Sequence, residues 1–281
     1  MTFPQTPVPQ PPVFKPRPFQ QKSPPFLPYT DKETQEFLED TSDLDDTIKL
    51  WDTKAKLTGI LTARMIDVVQ QARQLAEVYF DFTTGRYKYI RAGRRIPDKY
   101  INSANVRLAK SQELAFRDLT KQLIDGEISD QQWYNSMRKM MKDQYRASYI
   151  ASIGGVENYT RSEISKFGWR VRPQYRWLDN FLIELQNGKQ PKDGRAVIRA
   201  GMYARAGNAI YQNNLLRIAE QNGMTMARRV LGVTDQHCHD SGDRPGCVEL
   251  AAKGFVPIGQ AVEIGSASCY SNCLCSFEFR K

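Results

Sequence analysis

The chain has 281 residues (32.2 kDa), with 40 Lys and Arg against 31 Asp and Glu, a formal charge of +9 and a pI near 9.3. Its 41% hydrophobic and 25% charged residues are enough to build a sizeable core, which excludes global disorder. No run of about eighteen apolar residues spans a membrane, no basic start with an apolar stretch marks a secretion signal, and the two histidines, His237 and His239, are too close for mechanisms needing separated ones.

The excess of cations favours an acidic partner, of which nucleic acid is the commonest. Residues 1–30 are rich in proline, which fixes φ and removes a backbone donor, so this segment forms neither helix nor central strand. It reads as a linker or as an extended arm with Phe14, Phe19, Phe26 and Tyr29 as anchors on a partner.

Residues 31–169 read as a helical body, 170–230 as its helical C-terminal part, and 231–281 as a cysteine-rich module. Thr30-Asp31-Lys32-Glu33 has capping-box spacing, so a helix is expected to start there. From Leu44 to Phe82, apolar residues such as Trp51, Leu57, Leu61, Met65, Val68, Leu75 and Tyr79 recur at helical steps, which predicts a long helix ended by Thr83-Thr84-Gly85. Pro97 places residues 86–100 in a loop or short hairpin.

Helices are then expected over Ser103–Ile124, with Val106, Leu108, Leu114, Leu119 and Leu123 as core, and from a Ser129 cap to about Ile153. In the second, Trp133, Met137, Met140, Met141 and Tyr145 form a core stripe. Gly154-Gly155 breaks it, and another long helix is expected over Gly194–Ala219 with Asn222-Gly223 as its stop.

Two stretches interleave cations with aromatics. Arg86, Lys88, Arg91, Arg94 and Arg95 form the first, and Arg170, Arg172 and Arg176 the second, between Phe167 and Trp177. Such stretches suit phosphate contact with base stacking, and equally suit a solvated face with arginine stems packed on rings.

All five cysteines lie late in the chain: Cys238, Cys247, Cys269, Cys273 and Cys275. An odd, clustered set without a secretion signal points away from a disulfide framework and towards a metal site. Zinc takes four soft or borderline ligands in a tetrahedron. Cys238, Cys247, Cys273 and Cys275 are the preferred set, with Cys269 as substitute and His237 and His239 as possible replacements. Glu249 and Glu263 read as surface charges. No Walker loop, dinucleotide-binding fingerprint or Ser-His-Asp set is present, so no turnover is expected.

Arg228 to Asp235 followed by His237-Cys238, then Gly254-Phe255-Val256-Pro257 and Asn272-Cys273-Leu274-Cys275, resemble the C-terminus of phage head morphogenesis proteins, the minor head proteins related to the F protein of phage Mu. The stretch 123–143 is similar to a helical hairpin of such proteins, and Arg205, Gly207, Asn208 and the Arg228-Arg229 pair also fit. The resemblance covers roughly residues 105–281. It departs in the eight residues between Cys238 and Cys247, where relatives usually hold two.

The resemblance implies a minor structural protein of a phage head, at or near the portal vertex, in several copies per virion and assembled in the bacterial cytoplasm. Its partners would be the portal or major capsid protein and packaged DNA, with no membrane. The fold expected is mainly α: a Pro-rich arm, a helical body with long helices, and a small zinc-bound β/loop module. A zinc-containing nucleic-acid-binding regulator is the competing expectation.

Overall fold

The computed structural model describes residues 78–84, 86–89, 92–155, 158–232 and 237–281. The Pro-rich arm, most of the helix expected over 44–82, Arg91, Thr234 and Asp235 lie outside them.

The described chain is mainly helical with two small sheets. The first sheet is an antiparallel meander of β1 (Val78–Asp81), β2 (Arg86–Tyr89) and β3 (Arg95–Ile96). Val78–Asp81 is where the expected long helix was to end, and it is a strand instead. Its register, Val78↔Tyr89 to Asp81↔Arg86, is set by a turn in which the Asp81 carboxylate accepts from the Thr83 amide (2.9 Å) and the Thr84 hydroxyl (2.8 Å). Val78, Tyr87 and Ile96 are buried, and Phe80 stands edge-on to Tyr87 at 4.9 Å.

Helix α1 (Asp98–Ile124) starts directly after Pro97, earlier than Ser103, because a proline before the first turn lacks only an amide hydrogen that would go unpaired. Its core stripe is Leu108, Gln112, Phe116, Leu119 and Leu123, while Val106 and Leu114 are half-buried. In α2 (Asp130–Ser152) the Ser129 hydroxyl accepts from the Gln132 amide at 3.2 Å, and the Gln132 side chain accepts from the Ser129 amide at 2.8 Å. That capping box starts the helix. Trp133, Met137, Met140, Met141 and Tyr145 are all buried, and the Trp133 indole donates to Thr120 Oγ1 at 3.0 Å.

The Phe167–Trp177 stretch lies within one helix, α3 (Arg161–Gln186), which carries Pro173 in its interior. An interior proline costs about 3 kcal/mol. Against that cost stand the buried side chains of Ile164, Phe167, Val171, Tyr175, Leu178, Phe181 and Leu185, spaced three or four apart.

Helix α4 (Gly194–Gln221) begins at an Asp193 cap and packs along both α1 and α2. Gly207 permits the approach to α2: a Cβ there would lie 2.8 Å from Gln144 Nε2, which donates to the Ala204 carbonyl at 2.8 Å.

The second sheet runs β5-β4-β6, all antiparallel, with β4 (Met226–Val230) central, β5 (Val256–Pro257) and β6 (Ser276–Arg280). A short helix, α5 (Cys247–Ala252), packs beside β4. The strand just before residue 231 therefore pairs with strands beyond it, so the sheet straddles the expected boundary at 230/231.

Candidate metal centre

The cysteines come from three stretches of the chain. Cys238 lies in the loop after β4, Cys247 opens α5, Cys269 and Cys273 flank a single 3-10 turn (Tyr270–Asn272), and Cys275 leads into β6. Gly246 allows the loop to close on α5, since a Cβ there would meet His239 C at 2.3 Å and Glu249 Oε2 at 2.2 Å.

The fold gathers the other four sulfurs around that of Cys247. Its Sγ lies 3.5 Å from both Cys269 and Cys273, and its amide donates to Cys238 Sγ at 3.2 Å. Two thiol triads result, Cys238–Cys247–Cys269 and Cys247–Cys273–Cys275, each with its sulfurs within 4.8 Å of one another. The second triad is buried, while Cys238 and Cys269 are half-buried.

A cluster of this composition can hold a metal ion. At a Zn–S length of about 2.3 Å, the edge of a tetrahedron of thiolates is about 3.8 Å, close to the observed separations. All five cysteines fall in these two triads, but the preferred set does not form one group: Cys238 is grouped with Cys247 and Cys269, not with Cys273 and Cys275. Neither histidine joins a triad among the described residues. His239 Nδ1 instead lies 3.0 Å from Glu249 Oε1, on an exposed loop.

Arg229, buried on β4, points Nη1 at Cys247 Sγ (3.7 Å) and Cys273 Sγ (3.6 Å).

Amides from α4 fix the backbone that carries these thiols. Asn208 Nδ2 donates to the carbonyls of both Cys273 and Cys275 at 3.0 Å, and Gln212 Oε1 accepts from the Phe277 amide at 3.2 Å. Asn208 and Arg229 figured in the sequence only through the resemblance. Gln212 had no signal there beyond a polar residue in an apolar helix.

The basic residues divide. Alternation along β2 and the Lys88↔Arg95 register put Arg86, Lys88 and Arg95 on one face of the first sheet, opposite Tyr87 and Ile96. Arg94 lies 5.8 Å from the Tyr89 ring centroid. On α3, at about 100° per residue, Arg172 and Arg176 share one side while Arg170 faces away from them. Arg170 reaches to within 3.9 Å of Glu263, and with Trp169 and Trp177 it lines a groove of about 1690 Å³ that extends to His237 and Cys238. The second stretch therefore does not form a single cationic face.

No family model, no curated protein and no solved structure matches the chain.

Proposed function

We propose that the chain is a structural protein without turnover, a minor component of a phage head at or near the portal vertex, with a zinc centre that ties together the loops of its C-terminal module. The observation that carries this reading is a convergence. Asn208, Arg229, Cys247, Cys273 and Cys275, separated in sequence and each part of the resemblance to head morphogenesis proteins, meet in one contact network.

Soft sulfur donors at near-tetrahedral spacing suit zinc. Cys247, Cys273 and Cys275 would hold it. Cys269 is the better fourth ligand, because its sulfur lies 3.5 Å from that of Cys247, whereas Cys238 accepts the Cys247 amide. Zinc, when bound, supplies a cross-link between α5, the 3-10 turn and the start of β6. Five thiols for four positions leave no place reserved for a substrate, which supports a structural role.

The outer face of the first sheet supports contact with packaged DNA. Arg86 and Arg95 share that face with Lys88, whose ammonium already pairs with Asp81, so the two arginines are the groups that would meet phosphate. Mass spectrometry of gradient-purified particles tests the proposal. The protein is expected in the particles in several copies, and its absence from them while it is abundant in the lysate overturns the reading in favour of a regulator.

A further inference from the structure

Arg228 and Arg229 are adjacent on β4, yet their surroundings are opposite. Arg228 is partly exposed and pairs with Glu278 across the strand, its Nε donating to Glu278 Oε2 at 2.7 Å. Arg229 is 5% exposed. A guanidinium keeps its proton in any protein environment, and a buried one is costly unless an anion faces it. Among the described residues no carboxylate lies within ion-pairing distance of Arg229. Its Nη2 donates to the carbonyls of Val262 and Glu263, the second at 3.2 Å, and its plane lies over Phe277 at 5.5 Å. What remains within reach of Nη1 is sulfur, at Cys247 and Cys273.

We infer that Arg229 is the fixed counter-charge of the metal–sulfur centre, a positioning residue whose buried Nη1 faces the sulfurs of Cys247 and Cys273 and orients them as ligands. The inference rests on the metal reading above. A divalent ion with four thiolates leaves two negative charges in a buried site, and one guanidinium neutralises half of that excess. Neutral thiols or a disulfide between them would leave the guanidinium buried without an anion. The two backbone carbonyls hold the side chain from behind, so its charge stays directed at the sulfurs. A guanidinium hydrogen bond draws electron density from the sulfurs of Cys247 and Cys273 and slows their attack on electrophiles.

The test uses the full-length chain with Arg229→Met, Arg229→Lys and, as a control on the neighbouring arginine, Arg228→Met. Bound zinc is measured first, then chelator competition, the sulfur-to-cobalt charge-transfer band after Co²⁺ substitution, and the iodoacetamide alkylation rate of the loaded protein. Arg229→Met is expected to lose about 10–100-fold in metal affinity, move the band to lower energy and alkylate faster. Arg229→Lys should recover most of the affinity, and Arg228→Met should match wild type.

Wild-type protein without metal overturns the metal reading itself. Wild-type protein with metal, alongside an Arg229→Met variant of equal affinity and unmoved band, overturns the role of Arg229 alone. Should Arg229→Met fail to fold, Arg229→Lys decides: a lysine variant that holds metal supports the charge role, and one that cannot overturns it.

Discussion

The side chain of Asn213 and the backbone of Ile264 exchange two hydrogen bonds, Nδ2 to the Ile264 carbonyl at 2.9 Å and the Ile264 amide to Oδ1 at 2.7 Å. A helix side chain thus stands in for a neighbouring strand, and both Asn213 and Ile264 are buried. Asn213→Ala leaves the Ile264 donor and acceptor unpaired, at about 1–3 kcal/mol per group. Denaturant unfolding is expected to show a loss of about 2–4 kcal/mol, whereas Gln131→Ala at the exposed start of α2 should stay within about 0.5 kcal/mol. Equal effects of the two would mean that the module does not depend on this pair.

What was legible in the sequence was local. Ser129 caps α2 through a backbone group three residues on, and the Trp133–Tyr145 stripe needs only helical period. Val78–Asp81 misled because Tyr79 continues a helical step, while the strand is decided by pairing with Arg86–Tyr89. Helix α3 was hidden by Pro173 and by the cations that drew attention to Phe167–Trp177. The number of cysteines announced a candidate metal site, but the position of Cys247 at the hub of the thiol cluster depends on how the loops around it fold together. Asn213 could not be read at all, since its partner is backbone.

Glu163 joins three helices. It accepts from the Tyr149 hydroxyl (2.6 Å) and from Arg217 Nη2 (2.9 Å), and pairs with Lys166. Burial opposes its ionisation, but Lys166, Tyr149 and Arg217 together outweigh burial and hold its pKa below the ordinary 4.5. A depressed folded value means that the stabilisation is fully present above about pH 4.5 and is lost as pH falls through the lower folded value. Glu163→Gln should therefore cost about 1–2 kcal/mol at pH 7, with the gap to wild type narrowing in acid. A gap that does not change between pH 7 and pH 3 would contradict this.

The cationic face of the first sheet gives a prediction in salt. Arg86→Glu, Lys88→Glu and Arg95→Glu together should weaken DNA binding and reduce the slope of log affinity against log salt by about one for each phosphate no longer neutralised. Arg172→Glu with Arg176→Glu should change the slope less, because these half-buried side chains lie on a different element. Filter binding across a salt series reads both. An unchanged slope in the triple variant would remove the sheet face from any DNA interface.

The last prediction concerns which sulfurs are ligands. Cys247 belongs to both triads, so Cys247→Ser should abolish metal binding and loosen the second sheet. Cys273→Ser and Cys275→Ser remove buried members of the second triad and should do the same. The two half-buried thiols separate the alternatives. Cys269 Sγ lies 3.5 Å from Cys247 Sγ, whereas Cys238 is tied to the cluster by accepting the Cys247 amide. Cys238→Ser is expected to keep one zinc per chain with affinity lowered about tenfold or less, as for removal of a supporting hydrogen bond. Cys269→Ser is expected to lose most of the metal. Zinc released from each purified variant under reducing conditions, measured by mass spectrometry, decides the fourth position. Metal lost in Cys238→Ser and retained in Cys269→Ser would assign it to Cys238 and restore the set preferred from the sequence.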